Sequence, residues 1–576
     1  MRRQSGEVFG VISEFRKHPG QAALMALISL FLFIFLVVPV VQVVFVAFLD
    51  AGTGEFTLLN FKDFFNTALF RESFWNSIYV GVMSVVLASA FAMPLAYFTS
   101  RFEFRGAVII QGLGIIPLIM PPFVGAVAMM MLFGRNGSVN LLLEEYFGIN
   151  IPFMEGLNGV IFVESLHYFP FILINLSAAL HNIDRAMEES AQNLGCSGLR
   201  LYRRIVLPLA MPGYMAGASL VFLKVFDDLG TPLLLNVNSM LAPQAYLRIA
   251  SIGIKDPMGY VISVILVVIA LASMWLATLA LRGKDYATVQ KGGGGLAKRR
   301  MRPIEMAFAW VIVVFIMALV LAPHFGLTLL SFGTIWSYSV VPDAFTLNHF
   351  RAIFAETPEY MTNTVLYSGL AALIDVVLGT AIAYIVLRTK LAGRQWLDYL
   401  AMSAVAIPGL VIGIGYLRAF YDIEVPGLGG QAFGTWWVAI VIALAIRRLP
   451  YALRACSAAL QQVSVSLEES AESLGANKMK TVYRIVVPLM AGGILAGFVT
   501  SFATAAVELG MTLMLVSKHS DGPLAYGIYV YMQSAAGRGP GAALGIFAVL
   551  VVGLCTFLSH LFVDRRQRKL GMTQAK

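Results

Sequence analysis

Long apolar stretches recur along the chain, separated by shorter polar segments. A helix needs about 20 mostly apolar residues to cross the hydrocarbon core of a bilayer. Twelve stretches meet this requirement, near residues 21–48, 77–99, 107–133, 159–180, 212–235, 259–281, 304–331, 364–387, 396–420, 436–460, 492–516 and 543–563. The pattern therefore predicts an all-α polytopic membrane protein with twelve transmembrane helices.

The amino-acid composition supports this prediction and argues against a large soluble protein. Of the 576 residues, 59% are hydrophobic and 13% are charged, whereas a soluble domain has about 25% charged residues. The three cysteines and seven histidines are scattered and fit neither a disulfide framework nor a metal-ligand spacing. We therefore expect no metal site in this chain.

The net charge of +9 could indicate a nucleic-acid partner, but its distribution fits membrane topology better. Basic residues cluster at the N-terminus, in the segment 282–303 and in the tail at 565–569. Such clusters accumulate on the cytoplasmic side, and six spans on each side of the central segment would place all three there. We therefore expect both termini in the cytoplasm, membrane lipid around the spans, no nucleic-acid partner, and a first stretch that is retained as a helix.

The two halves of the chain resemble each other. The sequence "AYFTSR" at 96–101 aligns with "AYIVLR" at 383–388, and "FPFILINLSAAL" at 169–180 aligns with "LPYALRACSAAL" at 449–460. Because each half has six spans, both cross the membrane in the same direction, and transporters built from repeats bind substrate near the repeat interface. We expect a first repeat at 1–282, a basic Gly-rich cytoplasmic linker at 283–303 and a second repeat at 304–576.

A polar segment occurs once in each repeat, between the fourth and fifth stretches. "MEESAQNLGCSGLRLYRRIVLP" at 187–208 and "LEESAESLGANKMKTVYRIVVP" at 467–488 match at ten of twenty-two positions. Asp184 or Ser466 can cap a helix start, and Gly195 and Gly475 can end it in a left-handed conformation. An ordinary interfacial helix would explain one such segment, whereas two copies at matched depth indicate a docking element. Flanking bases can reach phospholipid head groups, and Pro208 and Pro488 are expected in the first turn of the fifth span.

This segment resembles the EAA loop of binding-protein-dependent ABC importer permeases. Glu189, Ser190, Ala191 and Gly195 fill the pattern in the first copy, with Ser in place of the first Ala. The resemblance implies that the two loops, at 183–208 and 463–488, dock two copies of a cytoplasmic ABC ATPase. It assigns this coupling role to ten residues: Glu188, Glu189, Ser190, Ala191, Gly195, Glu468, Glu469, Ser470, Ala471 and Gly475.

The same resemblance implies a bacterial inner-membrane protein with a type I importer fold and a periplasmic substrate-binding protein as a partner. The chain contains no G-x-x-x-x-G-K-[ST] sequence, so the chain is not expected to be an enzyme. We expect ATP and magnesium on the partner ATPase and no cofactor bound by this chain.

Acidic residues in the fifth stretch of each repeat are candidates for the substrate path. Asp227 and Asp228 lie in "FDDLGTPLLL", and Glu508 lies in "AVELGMTLML". An acid at mid-membrane costs about 3 kcal/mol on insertion scales, so it should face protein or a watery cavity. Asp228 and Glu508 could face each other across the path, or their carboxylates could hydrogen-bond a broken helix. Pro121 and Pro408 break the third stretch of each repeat, either to line a cavity or as packing kinks.

In its length and in the stretches "PLIMPPFVGAV" at 117–127 and "KVFDDLGTPLLL" at 224–235, this chain resembles the fused permeases of the ferric-iron importer branch. The resemblance implies ferric iron as the cargo. The same machinery could instead carry 2-aminoethylphosphonate, thiamine, a sugar phosphate or a polyamine. An ion-gradient-driven secondary carrier is an alternative class, although it would not need twin EAA loops. A membrane enzyme is disfavoured, because no Ser/His/Asp, paired-histidine or metal constellation is visible in the sequence.

Overall fold

A computed structural model describes residues 19–183, 185–281, 300–427 and 430–569. Several sequence-based expectations lie outside these residues. They concern Arg2, Arg3, Arg16 and Lys17, the capping role of Asp184, and the glycines 292–295 of the linker.

Helices form the architecture of the described residues. The twelve predicted stretches correspond to Pro19–Ala47 (span 1), Ala68–Arg101 (span 2), Ala107–Ile119 with Pro122–Phe133 (span 3), Gly156–His181 (span 4), Tyr202–Asp227 (span 5), Pro257–Leu281 (span 6), Pro303–Phe332 (span 7), Pro358–Arg388 (span 8), Arg394–Ala406 with Gly409–Ala419 (span 9), Trp437–Gln462 (span 10), Lys478–Ala506 (span 11) and Arg538–Lys569 (span 12). Shorter helices connect them at Leu59–Asn66, Ser138–Phe147, Leu241–Ser251, Asn348–Glu356 and Leu524–Met532.

By length and apolarity alone, ten helices of the described chain can cross a membrane, or eleven when the bent pair of span 9 counts as one. Span 10 completes the set of twelve segments. Its 26 residues are long enough to cross, but they include Arg447, Arg448 and Arg454. Arginine inside a membrane helix has to face protein or water, and Arg447 and Arg448 are buried within the protein.

Spans 3, 5, 9 and 11 are interrupted. Pro121 and Pro408 predicted the breaks in spans 3 and 9, and a broken helix was one of the two alternatives for the acidic segment of span 5. Span 9 bends by 108° between Ala406 and Gly409. Span 5 ends at Asp227 and resumes as Gly230–Leu234, and span 11 ends at Ala506 and resumes as Gly510–Leu515. The interruptions therefore occur at matched positions of the two repeats.

Each repeat has the same packing core, made by its second, fourth and fifth spans. The first span of each repeat also packs against the other repeat. Span 1 contacts span 9, where the Tyr416 hydroxyl donates to the Phe35 carbonyl at 2.8 Å. Span 7 contacts span 3 in the same way, and a Cβ on Gly125 would lie 3.3 Å from Pro323 Cβ. The two repeats therefore interlock through their first spans.

Pro208 and Pro488 lie in the first turn of the α-helices Leu207–Asp227 and Val487–Ala506, as predicted, but these α-helices are not the start of the continuous spans. Spans 5 and 11 begin further upstream, at Tyr202 and Lys478. A π-helical turn precedes each proline, at Tyr202–Val206 and Val482–Val486. A proline inside a helix lacks an N–H and crowds the carbonyl four residues earlier, and a local π-helical adjustment lets the freed backbone groups find other partners.

Candidate functional site

Each EAA loop contains a short helix followed by a tight turn. The helices are Arg185–Asn193 and Val465–Ser473. Ser464 rather than Ser466 caps the second helix, because its hydroxyl accepts from the Ser466 amide at 3.4 Å. The expected cap Ser466 thus lies one residue inside the helix.

Gly195 and Gly475 end these helices in the left-handed conformation, as predicted, with φ of +81° and +85°. The turn is the same in both loops. Cys196 N–H donates to Ala191 O at 2.9 Å and Ala476 N–H donates to Ala471 O at 3.0 Å, and each glycine N–H bonds three residues back. This pair of bonds is the Schellman arrangement, which satisfies the last carbonyls of a helix.

The turns expose one leucine each, immediately before the glycine. Leu194 is 88% exposed and Leu474 is 90% exposed. The coupling candidates Glu189, Ser190, Glu469 and Ser470 are also exposed, whereas Ala471 is buried and Ala191 is half-buried. Each helix therefore has one face on the permease and another open to solvent.

The first of the two adjacent glutamates in each loop contacts the permease itself. Glu188 forms an ion pair with Arg101 at the end of span 2. Glu468 forms an ion pair with Arg388 at the end of span 8, with Nε and Oε1 2.7 Å apart. Glu188 and Glu468 therefore contact the permease, whereas the other glutamates and the serines among the coupling candidates are exposed.

Both EAA loops lie at one end of the bundle, called here the EAA end. Arg300, which precedes span 7, pairs with Glu103 beside the first loop at 2.8 Å. A Cβ on Gly393, beside the second loop, would lie 3.5 Å from Met25 at the start of span 1. The starts of spans 1 and 7 and both EAA loops therefore share this end.

A cluster of charged residues lies where spans 5 and 11 are interrupted. Arg447 of span 10 pairs with Asp227 across the repeat interface, and its Nη1 donates to the Ile407 carbonyl at 3.1 Å. Glu508 pairs with Arg448 and lies 3.5 Å from Arg447 Nε. Two carboxylates and two guanidinium groups thus neutralise one another in the interior.

The backbone of Gly409 lies close to the side chains of this charged cluster. Its amide donates to Asp227 Oδ1 at 2.9 Å. A Cβ at this position would lie 2.5 Å from Glu508 Oε1 and 2.6 Å from Arg447 Nη1. The Pro408-Gly409 interruption therefore brings a free backbone donor into the charged cluster, as broken membrane helices can do.

Asp228 has a different geometry from its sequence equivalent Glu508. Its carboxylate accepts from the amides of Gly230 at 3.3 Å and Thr231 at 3.0 Å. These amides begin the helix Gly230–Leu234, whose N-cap residue is Leu229, so the Asp228 carboxylate satisfies free amides in the first turn after the break. Asp228 therefore hydrogen-bonds a broken helix, which is one of the two roles considered for it. Glu508 instead forms ion pairs with Arg447 and Arg448.

A small cavity of about 50 Å³ lies on the EAA side of the charged cluster, between the repeats. Its polar lining consists of Lys224, Asp227, Arg447, Arg448 and Tyr451, and Pro408 forms part of its wall. Pro121 does not line it and instead precedes the helix Pro122–Phe133, whose first amides bond to its carbonyl. Of the five predicted path residues, Asp227 and Pro408 therefore reach this cavity.

Sequence reasoning missed the arginines, because it searched the spans for acids alone. The adjacent bases in "AIRRLPYALR" at 445–454 carried the necessary signal, since buried bases cost as much as acids in a membrane. Glu164 in span 4 and Asp375 in span 8 were also missed, and both are fully buried.

A second cavity lies at the opposite end, again between the repeats. Arg135, Asn136 and Glu155 of the first repeat and Tyr338 and Arg538 of the second line it. No group of three or more His, Cys, Asp or Glu side chains suited to a metal ion occurs among the residues that the structure describes.

The family "Binding-protein-dependent transport system inner membrane component" matches residues 92–286 and again residues 375–569. The "Ferric transport system permease protein FbpB" of Actinobacillus pleuropneumoniae is 29% identical over 94% of this chain and 77% of its own length. A "Putative ferric transport system permease protein FbpB 1" of Haemophilus influenzae is 28% identical over 86% of this chain and 78% of its own length. A "Probable molybdenum ABC transporter permease protein" of Haloferax volcanii is 31% identical over 35% of this chain and 72% of its own length.

Proposed function

The chain belongs to the family of binding-protein-dependent transport system inner membrane components, and on that premise we propose that it is the membrane subunit of a ferric-iron importer. The chain contains two copies of the family domain, so it is a fused permease and the transmembrane subunit of an ABC importer. Its relatives and its geometry support the finer proposals of cargo, partners and orientation.

Coverage by relatives supports ferric iron as the cargo. The two relatives named for ferric transport align with both repeats, over 94% and 86% of this chain. The relative named for molybdenum aligns with 35% of it. The alternative cargoes are 2-aminoethylphosphonate, thiamine, a sugar phosphate and a polyamine.

Each EAA loop binds one copy of a cytoplasmic ATPase, and that ATPase binds ATP and magnesium. The observation that carries this proposal is the matched exposure of Leu194 and Leu474 on two equivalent turns at one end of the bundle. Burying an exposed leucine is worth about 1.5–3 kcal/mol, which makes each turn a suitable apolar anchor in a groove. The exposed Glu189 and Glu469 add charge beside each anchor.

With the ATPases at the EAA end, that end and both termini would lie in the cytoplasm, and the opposite end would lie in the periplasm. A substrate-binding protein would then release its cargo into the cavity lined by Arg135, Glu155 and Arg538. The cavity lined by Lys224, Asp227 and Tyr451 would open toward the cytoplasm.

The charged cluster lies between the two cavities and closes the path. Asp227 belongs to the first repeat, whereas Arg447 and Gly409 belong to the second. Separation of the repeats breaks the contacts of Asp227 with both residues. ATP-driven closure of the two ATPases would cause this separation by moving the EAA loops.

Reconstitution into proteoliposomes tests the function. The chain is combined with its ATPase and with a binding protein loaded with radioactive ferric iron, and uptake is measured with and without ATP. We expect uptake that requires ATP, the ATPase and the binding protein together. Uptake driven by a proton or sodium gradient without ATP would support a secondary carrier. Uptake of molybdate but not of iron would show that the cargo is molybdate and not ferric iron.

A further inference from the structure

Two buried ion pairs occupy equivalent positions at the EAA end, one in each repeat. Arg101 and Arg388 are the last residues of spans 2 and 8 and close the repeated sequences "AYFTSR" and "AYIVLR". Their partners, Glu188 and Glu468, occupy the same position of the two EAA helices. The same residue types thus join the same elements twice.

These pairs are enclosed by protein. Side-chain exposure is 7% for Arg101 and 17% for Glu188, and it is 11% for both Arg388 and Glu468. A charged pair in such surroundings is costly to desolvate and contributes little net stability compared with apolar packing. Its advantage is geometric, because a guanidinium fork fixes the direction of its acceptors.

Arg388 shows how this geometry joins three elements. Its Nη2 donates to the carbonyls of Leu460 at 3.1 Å and Val463 at 2.6 Å, where span 10 ends. Its Nε donates to Glu468 in the EAA helix at 2.7 Å. One side chain of span 8 therefore holds both the end of span 10 and the helix that follows it.

The adjacent glutamates face in different directions. Successive residues of a helix are about 100° apart around its axis. Glu468 is buried against Arg388, whereas Glu469 is exposed. Glu188 and Glu189 divide in the same way. The first glutamate thus contacts the permease and leaves the second on the solvent side.

We propose that Arg101 with Glu188, and Arg388 with Glu468, are positioning pairs that transmit displacement of each EAA helix to spans 2 and 8. The proposal rests on the proposed function, because it requires an ATPase at the exposed face of each EAA helix. The pairs transmit the motion because they are rigid and directional. The body of each repeat is moved through them, since spans 2 and 8 belong to the packing core.

The test compares transport per ATP hydrolysed in the complete complex of permease, ATPase and binding protein. Variants Arg388→Ala and Glu468→Gln, and the equivalent Arg101→Ala and Glu188→Gln, should retain the ATPase during purification. We expect transport per ATP to fall about fivefold or more, which is the lower range of coupling between sites. The exchanged pair Arg101→Glu with Glu188→Arg should recover more than half of that loss, because Glu188 is the acceptor of Arg101.

A matched control is available at the same end of the bundle. Arg300 and Glu103 form an ion pair of similar length, but their side chains are 88% and 51% exposed. Glu103→Gln should leave transport per ATP unchanged, since exposed pairs are worth little. Arg388→Lys keeps the charge but cannot reach its three acceptors together, so it provides a milder test if the alanine variant does not insert.

Unchanged transport per ATP in all the single variants would overturn the proposal, and so would an exchanged pair as defective as its parents. A fall of equal size in Glu103→Gln would also overturn it. If the unmodified permease fails to retain any ATPase, the proposed function fails instead.

Discussion

Asp227 at the end of span 5 forms an ion pair with Arg447 of span 10, and this pair joins the two repeats at the depth where spans 5 and 11 are interrupted. Breaking a buried pair by removing one partner is strongly destabilising, because the other charge stays buried. The closed arrangement of the repeats therefore depends on this contact.

Asp227→Ala should lower the free energy of unfolding by about 3–5 kcal/mol, because it leaves Arg447 without one carboxylate. Arg447→Gln should have a similar effect, and the double variant should lose less than the sum. Denaturant titration of the purified permease, followed by tryptophan fluorescence, measures the coupling. Strictly additive losses would show that the two side chains do not interact.

Asp228 and Glu508 should respond differently to neutralisation, although they are equivalent in sequence. Asp228→Asn keeps an oxygen for the amides of Gly230 and Thr231, so we expect a loss below about 1 kcal/mol, and about 1–2 kcal/mol for Asp228→Ala. Glu508→Gln removes the charge that Arg447 and Arg448 share and should destabilise more than Asp228→Asn.

The measurement for this pair combines stability with iron uptake. If Asp228→Asn abolishes uptake while the complex assembles with normal stability, Asp228 contacts cargo and its role in the broken helix is not the decisive one. If Glu508→Gln is as stable as the parent, the two arginines do not depend on it.

Leu474→Asp should weaken retention of the ATPase, because it places a charge in an apolar anchor worth about 1.5–3 kcal/mol. Leu194→Asp should do the same at the other loop. Copurification of the ATPase with the tagged permease measures the effect. Ile423, which is 52% exposed in the loop after span 9 at the opposite end, provides the control, and an equal loss in Ile423→Asp would contradict an anchor at the EAA turns.

Gly475 should tolerate asparagine better than valine. Its φ is +85°, and a Cβ there would meet nothing within 4 Å, so the cost of substitution is conformational alone. A β-branched residue in the left-handed region costs about 1–2 kcal/mol, whereas asparagine visits it more readily. ATPase retention should therefore decrease from glycine to asparagine to valine, and equal retention by all three would show that the turn is not needed for docking.

Gly409→Ala should destabilise the charged cluster by about 1–3 kcal/mol, because the added methyl group would overlap Glu508 and Arg447. Gly369, within span 8, has no atom within 4 Å of an added Cβ. Gly369→Ala should therefore leave stability unchanged or raise it by up to about 1 kcal/mol. The same titration compares them, and an equal response would contradict the close approach at Gly409.

Much of this architecture follows from local sequence signals. Apolar length predicted the spans, Pro121 and Pro408 predicted the interruptions of spans 3 and 9, and Gly195 and Gly475 predicted left-handed helix ends. Each of these features depends on a few neighbouring residues, so the sequence alone carries it.

The partners of the charged residues could not be predicted, because they come from distant segments. Asp227 and Arg447 are 220 positions apart, and nothing near either residue indicates the other. The cap of the second EAA helix was wrong by two residues, and the starts of spans 5 and 11 were wrong by about 10 and 14 residues, for a different reason. Ser464 and Ser466 are both acceptable caps, and the π-turns before Pro208 and Pro488 leave no simple local pattern.

The packing of span 1 on the second repeat, and of span 7 on the first, affects how the fused chain can be taken apart. Severing the polypeptide between residues 282 and 299 would leave each fragment with a helix seated in the other. Two separately translated fragments should therefore associate in the bilayer and copurify as one complex. The peptide connection would then serve to produce the two repeats in equal amounts, and it would not be needed to hold them together.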